Sequence, residues 1–379
     1  MQESLLAGKG PGRHRAEPAA ASRSSAPYGS GPIPHPGRLS GSGEQADAAI
    51  LISSAGRRVA LMACFRRAMA QLGVRARLVA IDASLTAPAA QFADGFYCVP
   101  RCDDAAFPQA LAEICRRERP LTIVPTIDTE LLTYAERAPE LARLGVRLAC
   151  SAPETVAICA DKRLSHVWLR RHGFPVPRQG TLDEVCQDLH SWLFPVIVKP
   201  VFGSASVGVR RVHRPAELLA LRGQGLDVVV QEIARGSEYT VHTYVDRQRR
   251  CLAAVPCKRL EVRGGEVSKG LTVRHEGLME LASQVSSQLP GAYGPLNVQI
   301  FLSEDGDLRV IEINPRFGGG YPLADRAGMA SPRWLLEEAL GRRPLGCEDW
   351  IDDLAMLRYD ESVYLPGSAL REQALEAAS

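Results

Sequence analysis

The segment Asn297-Val298-Gln299-Ile300-Phe301-Leu302, then Ser303-Glu304-Asp305-Gly306-Asp307, then Leu308-Arg309-Val310-Ile311-Glu312-Ile313-Asn314-Pro315-Arg316, reads as two alternating strands around a turn. Asp-Gly between alternating strands signals a type I′ hairpin, whose two corner residues both need positive φ. A two-residue loop at Asp305-Gly306 sets Gln299 opposite Glu312 and Asn297 opposite Asn314. Side chains alternate across a strand, so these four polar residues share one face while Val298, Ile300, Ile311 and Ile313 bury the other. An oxygen-rich patch with one carboxylate suits Mg²⁺, which is held by few protein ligands plus waters and substrate phosphates. An exposed polar face on a half-buried hairpin is the plain alternative, and it stays open beside the metal reading.

Working upstream, Val196-Ile197-Val198-Lys199-Pro200 is a strand that delivers a lysine. It runs into the small-residue loop Gly203-Ser204-Ala205-Ser206-Val207-Gly208 and a strand at Val209 to Val212. The loop has Gly-x-x-x-x-Gly spacing, but Val209-Arg210 follows where a Walker A motif needs Gly-Lys-Ser/Thr. Its N–H groups can still lie over phosphates beside Lys199, or simply turn a hairpin. A further strand, Val228 to Ile233, precedes a turn at Arg235-Gly236. Antiparallel candidates follow at Tyr239 to Val245 and Cys251 to Cys257, then a Gly264-Gly265 crossing and a helix around Leu278 to Leu289. From Gly341 onward the pattern reads as a helix start and a polar surface end.

The amino-terminal half has a different grammar. Short apolar runs at Ala49 to Ile52, Leu78 to Ile81, Phe96 to Val99, Leu121 to Val124 and Val146 to Ala149 alternate with helical periods through Val59 to Leu72, Phe107 to Cys115 and Leu131 to Leu144. This order predicts a parallel, doubly wound sheet. The first turn, Ser53-Ser54-Ala55-Gly56-Arg57-Arg58, lacks Gly-x-Gly-x-x-Gly, which argues against a dinucleotide. Arg57 and Arg58 at a helix start either hold an anion or are solvated.

The 379 residues carry 45 Lys and Arg against 43 Asp and Glu, a net charge of +2. No excess exists to neutralise a nucleic-acid backbone or an anionic membrane. Apolar runs are far shorter than the roughly 20 residues of a bilayer span. Ten cysteines without a Cys-x-x-Cys pair read as thiols of a reducing cytosol. Residues 1–47 show no apolar period and are expected to form a disordered tail.

Together these pieces resemble the ATP-grasp superfamily over residues 49 to 365, most closely its carbamoyl-phosphate-synthetase-like carboxylate–amine ligases. Ser54-Ala55-Gly56-Arg57-Arg58 and Ile127-Asp128-Thr129-Glu130 are similar to their amino-terminal domain. The resemblance implies an α/β chain: the tail, a Rossmann-like pre-ATP-grasp domain over 48–152, and a two-lobed α+β ATP-grasp domain over 153–345. Its lobes would span about 153–234 and 235–345, with a carboxyl-terminal extension over 346–379.

Carried over by residue, the resemblance implies that Lys162 and Lys199 contact ATP phosphates and that Gly203, Ser204, Ala205, Ser206, Val207 and Gly208 form the phosphate loop. Gln231, Glu232 and Ile233 would form the hinge that reads adenine, and Glu238 would hold the ribose. Gln299, Glu312 and Asn314 would be the Mg²⁺ ligands. Glutamine at 299, where many members carry a carboxylate, weakens a second ion. Arg316 and Lys199 would stabilise the transferred phosphoryl group.

The implied reaction joins a small-molecule carboxylate to an amine through an acyl phosphate, with ATP going to ADP and phosphate. The enzyme would be cytoplasmic, with a homodimer admitted. Substrate contacts are expected from Lys258, Arg259, Lys269 and Arg274, whose alternative is a solvated basic loop. Asp128 and Glu130, at the carboxyl edge of the first sheet, either hold an ammonium group or start the next helix. Bicarbonate activation and a catalytically inactive nucleotide-binding regulator are the other functional readings.

Overall fold

The computed structural model describes residues 48–204 and 206–368; the expected tail, Ala205 of the phosphate loop and the last eleven residues, 369–379, lie outside the described residues. The amino-terminal alternation runs β1 (Ala48–Ser53), α1 (Val59–Leu72), β2 (Ala76–Asp82), β3 (Gly95–Cys98), α2 (Phe107–Glu118), β4 (Pro120–Val124), α3 (Asp128–Glu136), α4 (Ala138–Arg143) and β5 (Arg147–Leu148). Pro139 sits in the first turn of α4, so the helical period read as continuous from Leu131 to Leu144 divides at Arg137. The sheet is parallel with order β3-β2-β1-β4-β5. Strand order reverses between β1 and β4, which opens a crevice at their carboxyl ends. Arg57, Arg58 and Asp128 stand on the two loops that flank it.

After α5 (Pro153–Ala160), the Asp161 carboxylate accepts from the N–H groups of Arg163 (2.7 Å) and Leu164 (3.3 Å) and so caps α6 (Lys162–Arg171). Lys162 is thereby fixed at the first position of a helix. A small antiparallel sheet, order β6-β9-β7-β8, follows from β6 (Gln179–Thr181), β7 (Val196–Pro200), β8 (Arg210–Val212) and β9 (Val228–Glu232), with α7 (Leu182–Gln187) and α8 (Pro215–Leu219) against it. The chain then enters a larger antiparallel sheet made of β10 (Ser237–Val245), β11 (Cys251–Arg263), β12 (Glu266–Thr272), β13 (Gly294–Leu302), β14 (Leu308–Asn314) and β15 (Ala355–Leu357). Its order is β14-β13-β10-β11-β12-β15. The helices of this part are α9 (Glu276–Gln288), α10 (Tyr321–Ala327) and α11 (Ser331–Ala339).

Two expectations are corrected here. The stretch after Gly341 forms β15, which pairs Leu357 with Lys269 and Met356 with Gly270 and so extends the large sheet. The hairpin of β13 and β14 closes through a five-residue loop, Ser303 to Asp307, with positive φ at Gly306 (87°) but not at Asp305. Phe301 therefore opposes Arg309 rather than Val310, one residue off the expected register. A bulge between Gln299 and Ile300 then inserts Ile311 as an extra residue, and the expected partners Gln299–Glu312 and Asn297–Asn314 are restored. The bulge also moves Ile311 out of the core: Val310 (1% exposed) packs inside with Val298, Ile300 and Ile313.

One apolar cluster runs from Ile50, Ile52 and Phe65 beneath β1 to Phe317, Tyr321 and Trp334 beside the large sheet. Phe65 meets Phe317 edge to face at 5.8 Å between centroids. Each such fully buried ring contributes on the order of 2 kcal/mol. This cluster presses the crevice of the parallel sheet against the end of β14, where Arg316 leaves the hairpin.

Candidate active site

A cleft of about 600 Å³ lies where the small sheet, the large sheet and the carboxyl edge of the parallel sheet meet. Of the residues singled out in the sequence, Lys162, Lys199, Gly203, Ser204, Ser206, Val207, Gln231, Glu232, Ile233, Glu238, Gln299, Glu312, Asn314 and Arg316 line it, with Arg259 and Asp128. Gly208 closes the loop behind the wall: its positive φ (75°) and its close approach to the Pro200 ring both require glycine.

One end of the cleft is organised around Lys199, 7% exposed, on β7. Its Nζ donates to Gln231 Oε1 at 3.1 Å, and Gln231 Nε2 donates to Gln179 Oε1 at 3.1 Å, so the Gln231 side chain is occupied within the wall. Burial pushes the Lys199 ammonium down to about 8, opposed by the Glu312 carboxylate and assisted by the Lys162 charge. Lys162 Nζ donates to the Gly203 carbonyl at 2.7 Å and ties α6 to the phosphate loop. Residues 233–236 carry the chain from β9 of the small sheet to β10 of the large one. The crossing depends on Gly236, since a Cβ there would lie 2.0 Å from the Leu302 carbonyl oxygen. Glu238, first turned inward on β10, has Arg259 Nε at 3.2 Å; burial raises its carboxyl, with Arg259 opposing.

Gln299, Glu312 and Asn314 face the same cleft, and among the described residues none of these side chains has a hydrogen bond or ion pair with protein. Three unpartnered oxygen donors, one of them anionic, beside a buried lysine fit a hard cation bridged to phosphate. Asn297 does not join them. Its Nδ2 donates to the carbonyls of Arg316 and, at 3.4 Å, Asn314, and its Oδ1 accepts from His242 Nδ1 at 2.6 Å. The expected patch of four donors is therefore three donors and one brace. Behind the brace, His242 is fully buried, and burial pushes its imidazole down to about 4.

At the other end, Arg316 leaves β14 and grips Asp128 across the cleft with two parallel bonds, Nε to Oδ1 at 2.7 Å and Nη2 to Oδ2 at 2.5 Å. Burial works against the Arg316 charge, but Asp128 holds its guanidinium above the ordinary range. Glu130, two residues on, does something else. Its carboxylate is fully buried and accepts from Ser53 Oγ (2.6 Å), Ser54 Oγ (2.7 Å), Thr126 N (2.6 Å) and Ile127 N (3.2 Å). It staples the loops after β1 and β4 together and does not reach the cleft.

The remaining basic residues read as substrate contacts also lie elsewhere. Lys269 pairs with Glu261 at 2.7 Å. Arg274 stacks on Trp350 at 4.2 Å and donates to the Glu348 and Trp350 carbonyls. Lys258 is not part of the lining, and Arg259 also serves Thr240 Oγ1 at 3.2 Å and the Gly265 carbonyl at 3.4 Å.

Sequence reasoning missed Glu266 and Arg358. Glu266 has Arg58 Nη1 at 3.0 Å and Arg358 Nη1 at 3.1 Å, and a Cβ on Gly319 would strike its carboxylate at 2.6 to 2.9 Å. The Gly264-Gly265 turn directly before Glu266 was a usable signal for it. Nothing local marked Arg358, which reaches the site only because β15 joins the large sheet.

Two family models match the chain: residues 50–149 match the PylC-like N-terminal domain, and residues 159–320 match the ATP-grasp domain. The carbamoyl phosphate synthase large chain of Methanothermobacter thermautotrophicus is 25% identical over 243 residues, covering 58% of this chain and 23% of that one. The chain thus spans about a quarter of the length of this curated relative. Among solved structures, the biotin carboxylase domain of Hydrogenobacter thermophilus 2-oxoglutarate carboxylase, a dimer with MgADP and bicarbonate, superposes with TM-score 0.65 at 18% identity over 81% of this chain and 73% of that one. The L-amino acid ligase of Bacillus licheniformis gives TM-score 0.60 at 19% identity over 78% and 75%. With its two matched segments together spanning most of the chain, the protein belongs to the ATP-grasp superfamily, an ATP-grasp domain behind a PylC-like amino-terminal domain.

Proposed function

We propose that this chain is an ATP-dependent carboxylate–amine ligase that forms an amide through an acyl phosphate, releasing ADP and phosphate. The observation that carries this is the convergence in one cleft of a buried lysine, three unpartnered oxygen donors and an arginine. That set can hold a triphosphate by charge and leave an end open for an acceptor. When bound by Gln299, Glu312 and Asn314, Mg²⁺ would neutralise phosphate oxygens during transfer.

Lys199 and Lys162 would hold the phosphates, with Gly203 to Gly208 closing over them, while residues 231–233 would border the base and Glu238 the ribose. The substrate carboxylate attacks the γ-phosphorus, and the ADP oxygen leaves. Arg316 would stabilise the charge on the transferred group. An amine nitrogen then adds to the acyl carbon, losing a proton as phosphate departs. No side chain need become covalently modified.

The test is incubation with Mg-ATP and a matrix of small carboxylates and amines, with nucleotide products and new masses measured. Stoichiometric ADP and phosphate with an amide product is the expected result. AMP and pyrophosphate would require an adenylate and end this reading. Similarity to carbamoyl phosphate synthase and to a biotin carboxylase domain favours a second reading, bicarbonate activation, whose mark is ATP hydrolysis that rises with bicarbonate in the absence of other carboxylates.

Among the described residues no helix is long and apolar enough to cross a membrane, and all ten cysteines are free thiols. Both observations support the cytoplasm as the place of work. A homodimer belongs to the same proposal and is read by light scattering of the full chain.

A further inference from the structure

A second cavity, of about 190 Å³, opens beside the cleft and shares Arg57, Arg58, Ile127, Glu266, Gly318 and Gly319 with it. Its own walls add Ser54, Gly56 and Arg358. Three guanidinium groups therefore border it against one carboxylate. Glu266 is already shared by Arg58 and Arg358, and among the described residues Arg57 makes no close ion pair, its charge reaching Glu266 only at longer range.

The neighbouring pair Arg316–Asp128 is internally balanced, and its two charges act on Arg58 in opposite senses. Asp82 accepts from the Gly56 N–H at 2.7 Å but does not line the cavity. Each arginine offers five N–H donors, and one carboxylate cannot saturate fifteen. Arg58 also gives one bond to the Thr126 carbonyl (3.3 Å) and Arg358 one to the Val267 carbonyl (3.2 Å), which leaves donors of both unused. A partly enclosed excess of positive charge is most stable when an anion completes it.

We propose that this cavity seats an anionic group of a substrate, a carboxylate or a phosphate, on Arg57, Arg58 and Arg358. The anion is distinct from the carboxylate that is phosphorylated, so one of the two substrates carries an additional acid. Glu266 fixes the geometry: braced by two arginines and packed against Gly319, it orients the guanidinium groups and excludes an anion from its own side. The proposal rests on the ligase reading only for which molecule brings the anion.

The test uses the full chain and two probes, inorganic phosphate and acetate, with sodium chloride as the ionic-strength control. Phenylglyoxal modifies accessible arginines, and peptide mass spectrometry gives the rate at Arg57, Arg58 and Arg358 separately. Either probe is expected to slow modification at these positions in a saturable way, with Kd of about 1 mM or tighter. Stronger protection by phosphate identifies a phosphate-bearing substrate, and stronger protection by acetate a carboxylate-bearing one.

Arg57→Ala with Arg358→Ala should weaken protection of Arg58 about tenfold, and Arg57→Lys should retain part of it. No protection beyond that of chloride overturns the site. So does protection by Mg-ATP alone, which would give these arginines to the nucleotide, or protection that survives in the double variant. Mg-ATP binding on the same preparation, by equilibrium dialysis, reports on the ligase reading by itself. Its absence with protected arginines sinks that reading and keeps this site; the converse result does the opposite.

Discussion

At the Lys199 end of the cleft, Lys199, Gln231, Glu312 and Asn314 come from three strands, and the oxygen donors Gln299, Glu312 and Asn314 have no protein partner among the described residues. At the Arg316 end, Arg58, Asp128, Glu266, Arg316 and Arg358 come from five separate segments and are joined in pairs across them. One end is left open for a ligand, and the other is held closed on itself. Open donors can take a ligand without rearrangement, as the proposed binding of Mg-ATP there requires. The pairs hold the other end in shape, and a ligand there meets only the donors that they leave unused.

Glu312→Gln gives the largest expected effect, because it keeps the shape and removes the one carboxylate among the open donors. Its kcat should fall about 10²- to 10³-fold with an unchanged melting temperature. Full Mg²⁺-dependent turnover in that variant would break the comparison at its Lys199 end.

Asp128→Asn cuts the bidentate bond to Arg316. We expect a loss of about 10²-fold or less in kcat, with KM for the amine raised and the Kd of Mg-ATP nearly unchanged. If ATP affinity falls as far as kcat, the two ends are not separable. Glu130→Ala, only two residues away, should instead lower the melting temperature by several degrees, since four donors, two buried and two part-buried, lose their acceptor.

Lys199 sharpens the comparison through pH. Its ammonium has been pushed down to about 8, so the charge is present below that pH and lost above it. kcat/KM for ATP, which reports on the free enzyme, should fall about tenfold per pH unit on the alkaline side of 8. In Lys199→Arg the alkaline limb should move up by more than a unit; a wild-type profile flat through this range would remove Lys199 from phosphate binding.

His242 gives the smallest effect on the reaction and a clear one on stability. Its folded-state value of about 4 lies below the ordinary 6.5, so the unfolded chain takes up a proton first as pH falls. The stability it supplies is present above pH 6.5 and lost on the way to 4, on the order of 3 kcal/mol. Urea unfolding at neutral and acid pH should show that difference in the wild type and a smaller one in His242→Gln. Equal pH dependence in the two proteins would show that the brace under Asn314 and Arg316 does not use a neutral imidazole.

The hairpin shows how legible the site was. Gln299 and Glu312 do face each other, but the predicted loop was three residues too short, and a bulge at Ile311 compensated for the slip. Alternation gives a strand's face; it does not reveal where an extra residue is inserted, because a bulge answers to the twist of neighbouring strands. Asp128 and Glu130 make the same point. Both suit the first turn of a helix, and only the position of the β1 loop decides that one is a staple and the other meets Arg316.

The sequence by itself determined the parallel sheet and the strands that carry Lys199, Gln231, Gln299 and Glu312, because periodicity and short motifs act within a few residues of one another. It placed Lys199 on a strand, the small-residue loop after it and Glu312 opposite Gln299. Tertiary structure alone decided which charges meet at the other end. Lys258, Lys269 and Arg274 look in the sequence as Arg358 does, basic residues on polar stretches. The physical reason is that an ion pair is made by proximity rather than by chain spacing: the apolar cluster from Phe65 to Phe317 brings Arg58 and Asp128 to Arg316, and β15 carries Arg358 to Glu266 across 92 residues of chain.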